Sequence, residues 1–201
     1  MATEDKSTGA AGKGGKRRTV DKWKKKMWYT IVAPKEFDER VLGESVATKP
    51  EHLMGRIVKI SVRDIAGQIK KQHITLLFKI IDVKGNKAHT AAVGHNVNDS
   101  YMRRIVRRRS SKIEIVKEIM LSDGKKLRVK IVAVTNRRAR KAQETEIRHL
   151  MIEQLDALSG KKDANNTISD LVFGNLTIKI NSAIKKIHSI KRVEILRSQV
   201  L

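Results

Sequence analysis

The segment Ile113–Val134, IEIVKEIMLSDGKKLRVKIVAV, decides the fold class. Leu127, Val129, Ile131 and Ala133 alternate with Arg128, Lys130 and Val132, the period of two that places one face of a strand inward and the other in water. Ile113–Leu121 is a second apolar run, and Asp123-Gly124 between the two is a tight-turn pair, because glycine reaches positive φ without a Cβ clash. The segment therefore predicts an antiparallel hairpin.

Upstream the same grammar recurs. Val58, Ile60 and Val62 alternate with Lys59, Ser61 and Arg63, predicting a half-buried strand over Arg56–Arg63. Ile74–Val83 is rich in Ile and Leu, and Lys84-Gly85-Asn86 turns it so that Ala88–Val93 pairs back. Downstream the period changes to three and four: Ile147, Leu150, Met151, Leu155 and Leu158 predict an amphipathic helix over Arg137–Leu158. Thr167-Ile168-Ser169-Asp170 resembles a capping box, and Ile168, Leu171, Val172, Leu176, Ile180 and Ile184 fit a second helix, interrupted by Gly174. Arg192–Arg197 reads as a closing strand. The expected class is α+β, an antiparallel sheet curled into a barrel, interrupted by one Arg-rich helix and followed by flanking helices.

That interrupting helix is Tyr101–Lys112, YMRRIVRRRSSK. Helical spacing puts Tyr101, Met102, Ile105 and Val106 on one side and Arg103, Arg104, Arg107 and Arg108 on the other, with Arg109 and Lys112 following. Asn98, Asp99 and Ser100 supply N-cap oxygens, and Ser110-Ser111 end the pattern. Guanidinium forks match phosphate oxygens bidentately, so the face suits a nucleic-acid backbone. The alternative is a solvated basic face, but four arginines with no carboxylate among them repel one another. A further cationic group, Arg137, Arg138, Arg140 and Lys141, opens the next helix, where it opposes the helix dipole unless an anion is near.

Residues 1–19 are Gly, Ala, Ser, Thr and Lys with little to bury, a disordered basic tail ending in Lys16, Arg17 and Arg18. Residues 20–52 form a basic, aromatic arm, and residues 53–201 the barrel-like body. Four of the seven aromatics, Trp23, Trp28, Tyr29 and Phe37, lie in the arm among Lys22, Lys24, Lys25 and Lys26. Trp28, Tyr29, Ile31 and Phe37 are read as pinning the arm to the body. Trp23, enclosed by lysines, is read as an RNA contact. Glu36, Asp38, Glu39 and Glu44 fit either a basic protein neighbour or solvent.

Net charge is +23 from 44 basic and 21 acidic residues, which implies a polyanionic partner, while 40% hydrophobic content implies a folded core. No cysteine is present, removing disulfides, thiolate metal sites and thiol nucleophiles. No signal peptide or membrane-length apolar run is expected. The six histidines are not spaced as paired ligands, and Gly12–Lys16 lacks the strand that a phosphate loop needs. Gly43–Ala47 only approximates a nucleophile elbow. A magnesium-dependent nuclease would have to gather Asp64, Asp82 and Asp123, but aspartate at turns explains the latter two. No cofactor, metal or small-molecule substrate is implied. A free RNA- or DNA-binding factor, regulatory or chromatin-like, is the other binding alternative.

Several segments resemble the archaeal and eukaryotic small-subunit ribosomal protein family called S-three-a in eukaryotes. LMGRIVKISVRDI, Leu53–Ile65, is similar to the family signature at Leu53, Gly55, Arg56, Ile57, Ser61, Asp64 and Ile65, with Lys59 where an acidic residue is usual and Val62 where leucine is. VDKWKKKMWYTIVAPKEF, Val20–Phe37, resembles the family arm, with Lys22 in place of a proline. Gly94-His95 before the Arg-rich helix, the Asp123-Gly124 hairpin and the basic segment at Arg137 are similar in order. The sequence given stops soon after Arg197, without the acidic extension of eukaryotic members, which resembles archaeal ones. The resemblance implies a non-enzymatic, barrel-like protein in the cytoplasm. It would sit on the platform of the small ribosomal subunit, against ribosomal RNA near its 3′ end and the messenger exit. Neighbouring ribosomal proteins, and the messenger itself, are then partners, whereas membranes are not.

Overall fold

A computed structural model describes residues 23–67, 69–174 and 176–201. The tail, with Lys16, Arg17 and Arg18, and Lys22 of the arm lie outside the described residues. Among the described residues there are eight strands: β1 Met27–Val32, β2 Val41–Ala47, β3 Ile57–Ser61, β4 Ile74–Lys84, β5 Lys87–Val97, β6 Lys112–Met120, β7 Lys126–Thr135 and β8 Ile190–Val200. Five α-helices accompany them in the same residues: α1 Val62–Ala66, α2 Asp99–Ile105, α3 Lys141–Asp156, α4 Ala164–Phe173 and α5 Leu176–Ile184.

Both expected hairpins form. β4 and β5 turn at Gly85 (φ 57°), and β6 and β7 turn past Gly124 (φ 72°), conformations that favour glycine. Leu127, Val129, Ile131 and Ala133 are all buried, with Arg128 exposed on the opposite face. β8 is longer than the expected closing strand, and it runs between β5 and β7 rather than along a margin.

The sheet is mixed and open, in the order β2-β1-β5-β8-β7-β6, with β4 on β5 and β3 on β4. The expectation of a purely antiparallel sheet is corrected at β1, which lies parallel to β5 over Thr30–Val32 and Lys87–His89. β2, β3 and β6 each have one partner, so no pairing joins margin to margin among the described residues. β5 is the hub. It pairs with β4 along its length, with β1 at one end and with β8 at the other, over Gly94, His95 and Asn96 only. Near this short seam both strands carry an extra residue, Val93 in β5 and Leu196 in β8. Such bulges bend strands and increase their local twist.

Local chemistry sets the other boundaries. Ser61 Oγ accepts from Arg63 N and caps α1, so β3 ends at Ser61 and Val62 is helical instead of continuing the strand. The second predicted helix is two, and Gly174 is the break: a Cβ there would lie 2.2 Å from the Asp170 carbonyl oxygen. The first of these starts at Ala164, ahead of the proposed Thr167 cap. α3, α4 and α5 bury Ile147, Met151, Leu155, Ile168, Leu171, Ile180 and Ile184 in the same core as Ile113, Ile131 and Val193 of the sheet.

The arm is part of the sheet. Tyr29 and Ile31 are buried on the inner face of β1, and Phe37 meets Phe78 edge to face at 5.2 Å. Trp28 is the exception to the expected pinning. A strand alternates its faces, so Trp28 points away from Tyr29 and Ile31 and is 61% exposed.

Candidate nucleic-acid interface

The candidate surface is built at one end of β6 and β7. Asn98 Oδ1 accepts from Ser100 N at 3.1 Å and starts α2, as its sequence requires. Tyr101, Met102, Ile105 and Val106 face the body, while Arg103 and Arg104 are exposed. The helix is shorter than expected. It ends at Ile105 because Val106 is extended and Lys191 Nζ, from β8, donates to the Ile105 carbonyl at 2.8 Å. Arg107, Arg108 and Arg109 therefore lie on a loop, not on the helix face. Ser110 Oγ donates to Arg107 O at 2.6 Å, and Arg109 takes a left-handed conformation, φ 66°.

This loop is stitched to the second arginine group. Ser111 N donates to Thr135 Oγ1 at 2.8 Å, Thr135 N donates to Ser111 O at 3.0 Å, and Ala139 N donates to Ser111 Oγ at 3.1 Å. Arg137, Arg138 and Arg140 lie in the segment that leads into α3, which begins only at Lys141. Arg140 is the N-cap and Lys141 the first helical residue, so these cations still sit at the positive end of the helix dipole. Gln143 Oε1 accepts from Arg140 N at 3.1 Å, and Glu144 supplies a negative charge in the first turn.

Two clusters separated in sequence thus converge. Arg103, Arg104, Arg107, Arg108, Arg109, Arg137, Arg138 and Arg140 are all exposed, and none has a carboxylate partner among the described residues. Lys112 and Lys141 are different, being paired with Glu114 and Glu144. Arg103, Lys112 and Lys130 line one groove of about 460 Å³ with Asp99 and Leu196.

The base of α2 is fixed by Tyr101. Its ring stacks on His73 with centroids 3.7 Å apart and planes 16° apart, and the Arg104 and Arg192 guanidiniums each sit 5.7 Å from its centroid. The Tyr101 hydroxyl donates to Glu194 Oε1 at 3.2 Å, which also pairs with Arg192 at 2.8 Å. Burial, reinforced by Glu194, pushes the phenol up to about 12. Burial lowers His73, helped by Arg192, Arg104 and Lys71, and raises Glu194 despite Arg192. The neutral imidazole then adds no charge of its own, so the exposed arginines carry the field.

Lys191 and Arg192 were missed in the sequence. Their charge marks them as surface residues, but nothing local shows that they meet α2. In the arm, Lys24, Lys25 and Lys26 are exposed, and Lys26 Nζ lies 4.2 Å over the Trp23 ring. Asp64, Asp82 and Asp123 are not gathered. Asp64 is in α1, Asp82 accepts from Val83 N at 2.8 Å, and Asp123 accepts from Ala164 N at 3.5 Å. No group of three or more His, Asp or Glu side chains suited to a metal occurs among the described residues. No described helix is long and apolar enough to cross a membrane.

An open α+β sheet with one strongly cationic end, and no assembled acid, base or metal cluster among its described residues, has the make-up of a protein that lies against a polyanion. The chain belongs to the Ribosomal S3Ae family, whose profile matches residues 14–201. It is 36% identical over 186 residues to small ribosomal subunit protein eS1 of Methanobrevibacter smithii, covering 92% of this chain and 96% of that protein. The eS1 protein of Desulfurococcus amylolyticus is 41% identical, with 92% and 88% covered, and that of Methanothermobacter thermautotrophicus 35%, with 94% and 97% covered.

Proposed function

We propose that the joined arginine segments, Arg103–Arg109 and Arg137–Arg140, clamp phosphates of the small-subunit ribosomal RNA. The chain is a structural constituent of the small ribosomal subunit, works in the cytoplasm as part of that particle, and is not an enzyme. Its partners are ribosomal RNA and other proteins of the subunit. The observation that carries the clamp is the Ser111 stitch, which turns two sequence clusters into one surface with no internal carboxylate partners. Phosphate contacts of this kind give position and affinity with little base reading, so the RNA is recognised by shape.

Lys16, Arg17, Arg18 and Lys22 thread along RNA from the same chain, and Lys24–Lys26 with Trp23 extend the contact. Lys112 and Lys141, each paired with a glutamate, contribute less. The finer placement, on the platform near the RNA 3′ end and the messenger exit, follows from the family resemblance, as does a barrel-like curl of the sheet. The arm of residues 20–52, the body of residues 53–201 and a basic tail remain the working division of the chain.

The test is a double reversal, Arg103→Glu with Arg104→Glu. Both side chains are exposed, so the fold should persist by circular dichroism and denaturation midpoint. Affinity for purified small-subunit ribosomal RNA is expected to fall at least tenfold at low salt. The slope of log affinity against log salt is expected to shrink by about 1.5, the loss of two phosphate contacts. Unchanged affinity and slope would remove this end of the sheet from the interface.

A further inference from the structure

Trp28 is a large aromatic ring on a fixed strand with no described ring, cation or hydrogen-bond partner, and it is 61% exposed. Its backbone is held in register opposite Val46 of β2, and its neighbours Tyr29 and Ile31 anchor β1 from the other face. The indole is therefore displayed by rigid structure rather than by a loop.

Its surroundings are cationic. Lys24, Lys25 and Lys26 immediately precede β1 and are exposed. Arg56 donates to Ser45 Oγ at 3.1 Å and to the Val46 carbonyl at 3.2 Å, but Ser45 lies opposite Tyr29, so this guanidinium is held toward the other face of the pair. The first carboxylate along β2 is Glu44, opposite Thr30, one step beyond on the same face. An exposed aromatic face bordered by cations binds unpaired nucleotides, because every base offers a π-face and the phosphates follow the positive groups.

Resting on the RNA-binding reading above, we propose that Trp28 is a stacking platform for one unpaired nucleotide of RNA, with Lys24–Lys26 holding the adjoining phosphates. A basic polypeptide would be repelled by those same three lysines, which favours RNA as the occupant. The surface is distinct from the arginine end of the sheet. It selects single strands, whereas the arginine clamp accepts folded RNA through its backbone.

The chain has two tryptophans, so Trp23→Phe leaves Trp28 as the sole indole emitter. Titration of that full-length variant with a single-stranded oligoadenylate is expected to quench its fluorescence, and an RNA duplex of equal length to leave it nearly unchanged. Trp28→Ala is expected to weaken oligoadenylate binding roughly tenfold, and Trp28→Phe to recover most of the loss. Duplex binding should be the same for all three. If Trp28→Ala binds the single strand as the parent does while the Arg103/Arg104 reversal still loses ribosomal RNA, the platform is wrong and the RNA-binding reading stands. If the parent binds neither RNA, both fall. A blue shift of Trp28 emission with an arginine-rich peptide, without a response to oligoadenylate, overturns the proposal and makes the surface a protein contact.

Discussion

Gly94→Ala is expected to lower the unfolding free energy by about 3 kcal/mol or more, read as a fall in urea midpoint with little change in slope. A Cβ at this position would lie 2.0 Å from the Ser198 carbonyl oxygen and 2.8 Å from its carbon. Those atoms belong to the β8 backbone, so no side chain can swing aside. Gly94 pairs with Gln199 at the seam, where β5 and β8 share only three paired residues, and moving the strands apart loosens one half of the sheet from the other. The effect should reach the proposed RNA surface as well. α2 is held to β8 by the Tyr101–Glu194 and Lys191–Ile105 hydrogen bonds, so a displaced β8 misplaces Arg103 and Arg104. A variant with the parent's midpoint would mean that β8 does not approach β5 this closely.

The residue beside Gly94 makes the seam sensitive to acid. His95 is 1% exposed; its Nε2 lies 3.0 Å from the Ile195 carbonyl and its Nδ1 lies 2.6 Å from Ser198 Oγ. A carbonyl can only accept, so the proton sits on Nε2, and Ser198 donates its hydroxyl hydrogen to Nδ1 while accepting from His95 N. A second ring proton would face that hydroxyl hydrogen. Burial lowers the imidazole from 6.5 to about 4, against the pull of the Ile195 carbonyl. Because the folded value lies below the unfolded one, the unfolded chain binds the proton more tightly. The stabilisation is complete above about pH 6.5 and is lost as pH falls towards 4, amounting to about 3 kcal/mol. Denaturant midpoints measured from pH 7 to pH 4 should fall for the parent and fall less for His95→Gln. A His95 ring titrating near 6.5 by NMR would contradict the buried, neutral arrangement.

What could be read from the sequence was local. Alternation ending at Gly85 or Gly124 specifies a hairpin within about twenty residues, and both hairpins formed. Gly174 flagged the interruption between α4 and α5, although only the approach of Asp170 O shows why it is a break. The errors lie where a distant residue decides. α2 stops at Ile105 because Lys191, eighty-six positions later, takes its carbonyl oxygen, and no helix propensity encodes that. The parallel pairing of β1 with β5 has no turn to announce it, and neither does the insertion of β8 between two hairpins. Trp28 could have been found. Tyr29 and Ile31 share one strand face, so the residue before them belongs on the other; composition alone suggested an anchor. The candidate site was legible as residue types and not as a surface, since the Ser111 stitch uses hydroxyls with no charge pattern.

The position of β8 also fixes an order of assembly. The β4–β5 and β6–β7 hairpins close through contacts near in sequence, and they can form as soon as each has left the site of synthesis. β8 follows them by more than fifty residues, yet it is the strand that joins them. Until it arrives, β5 and β7 keep unpaired backbone along the sides it will occupy, the kind of edge that recruits strands from other chains. A dense positive charge keeps like chains apart during that interval, so the cations that suit a polyanion also protect the chain while it folds.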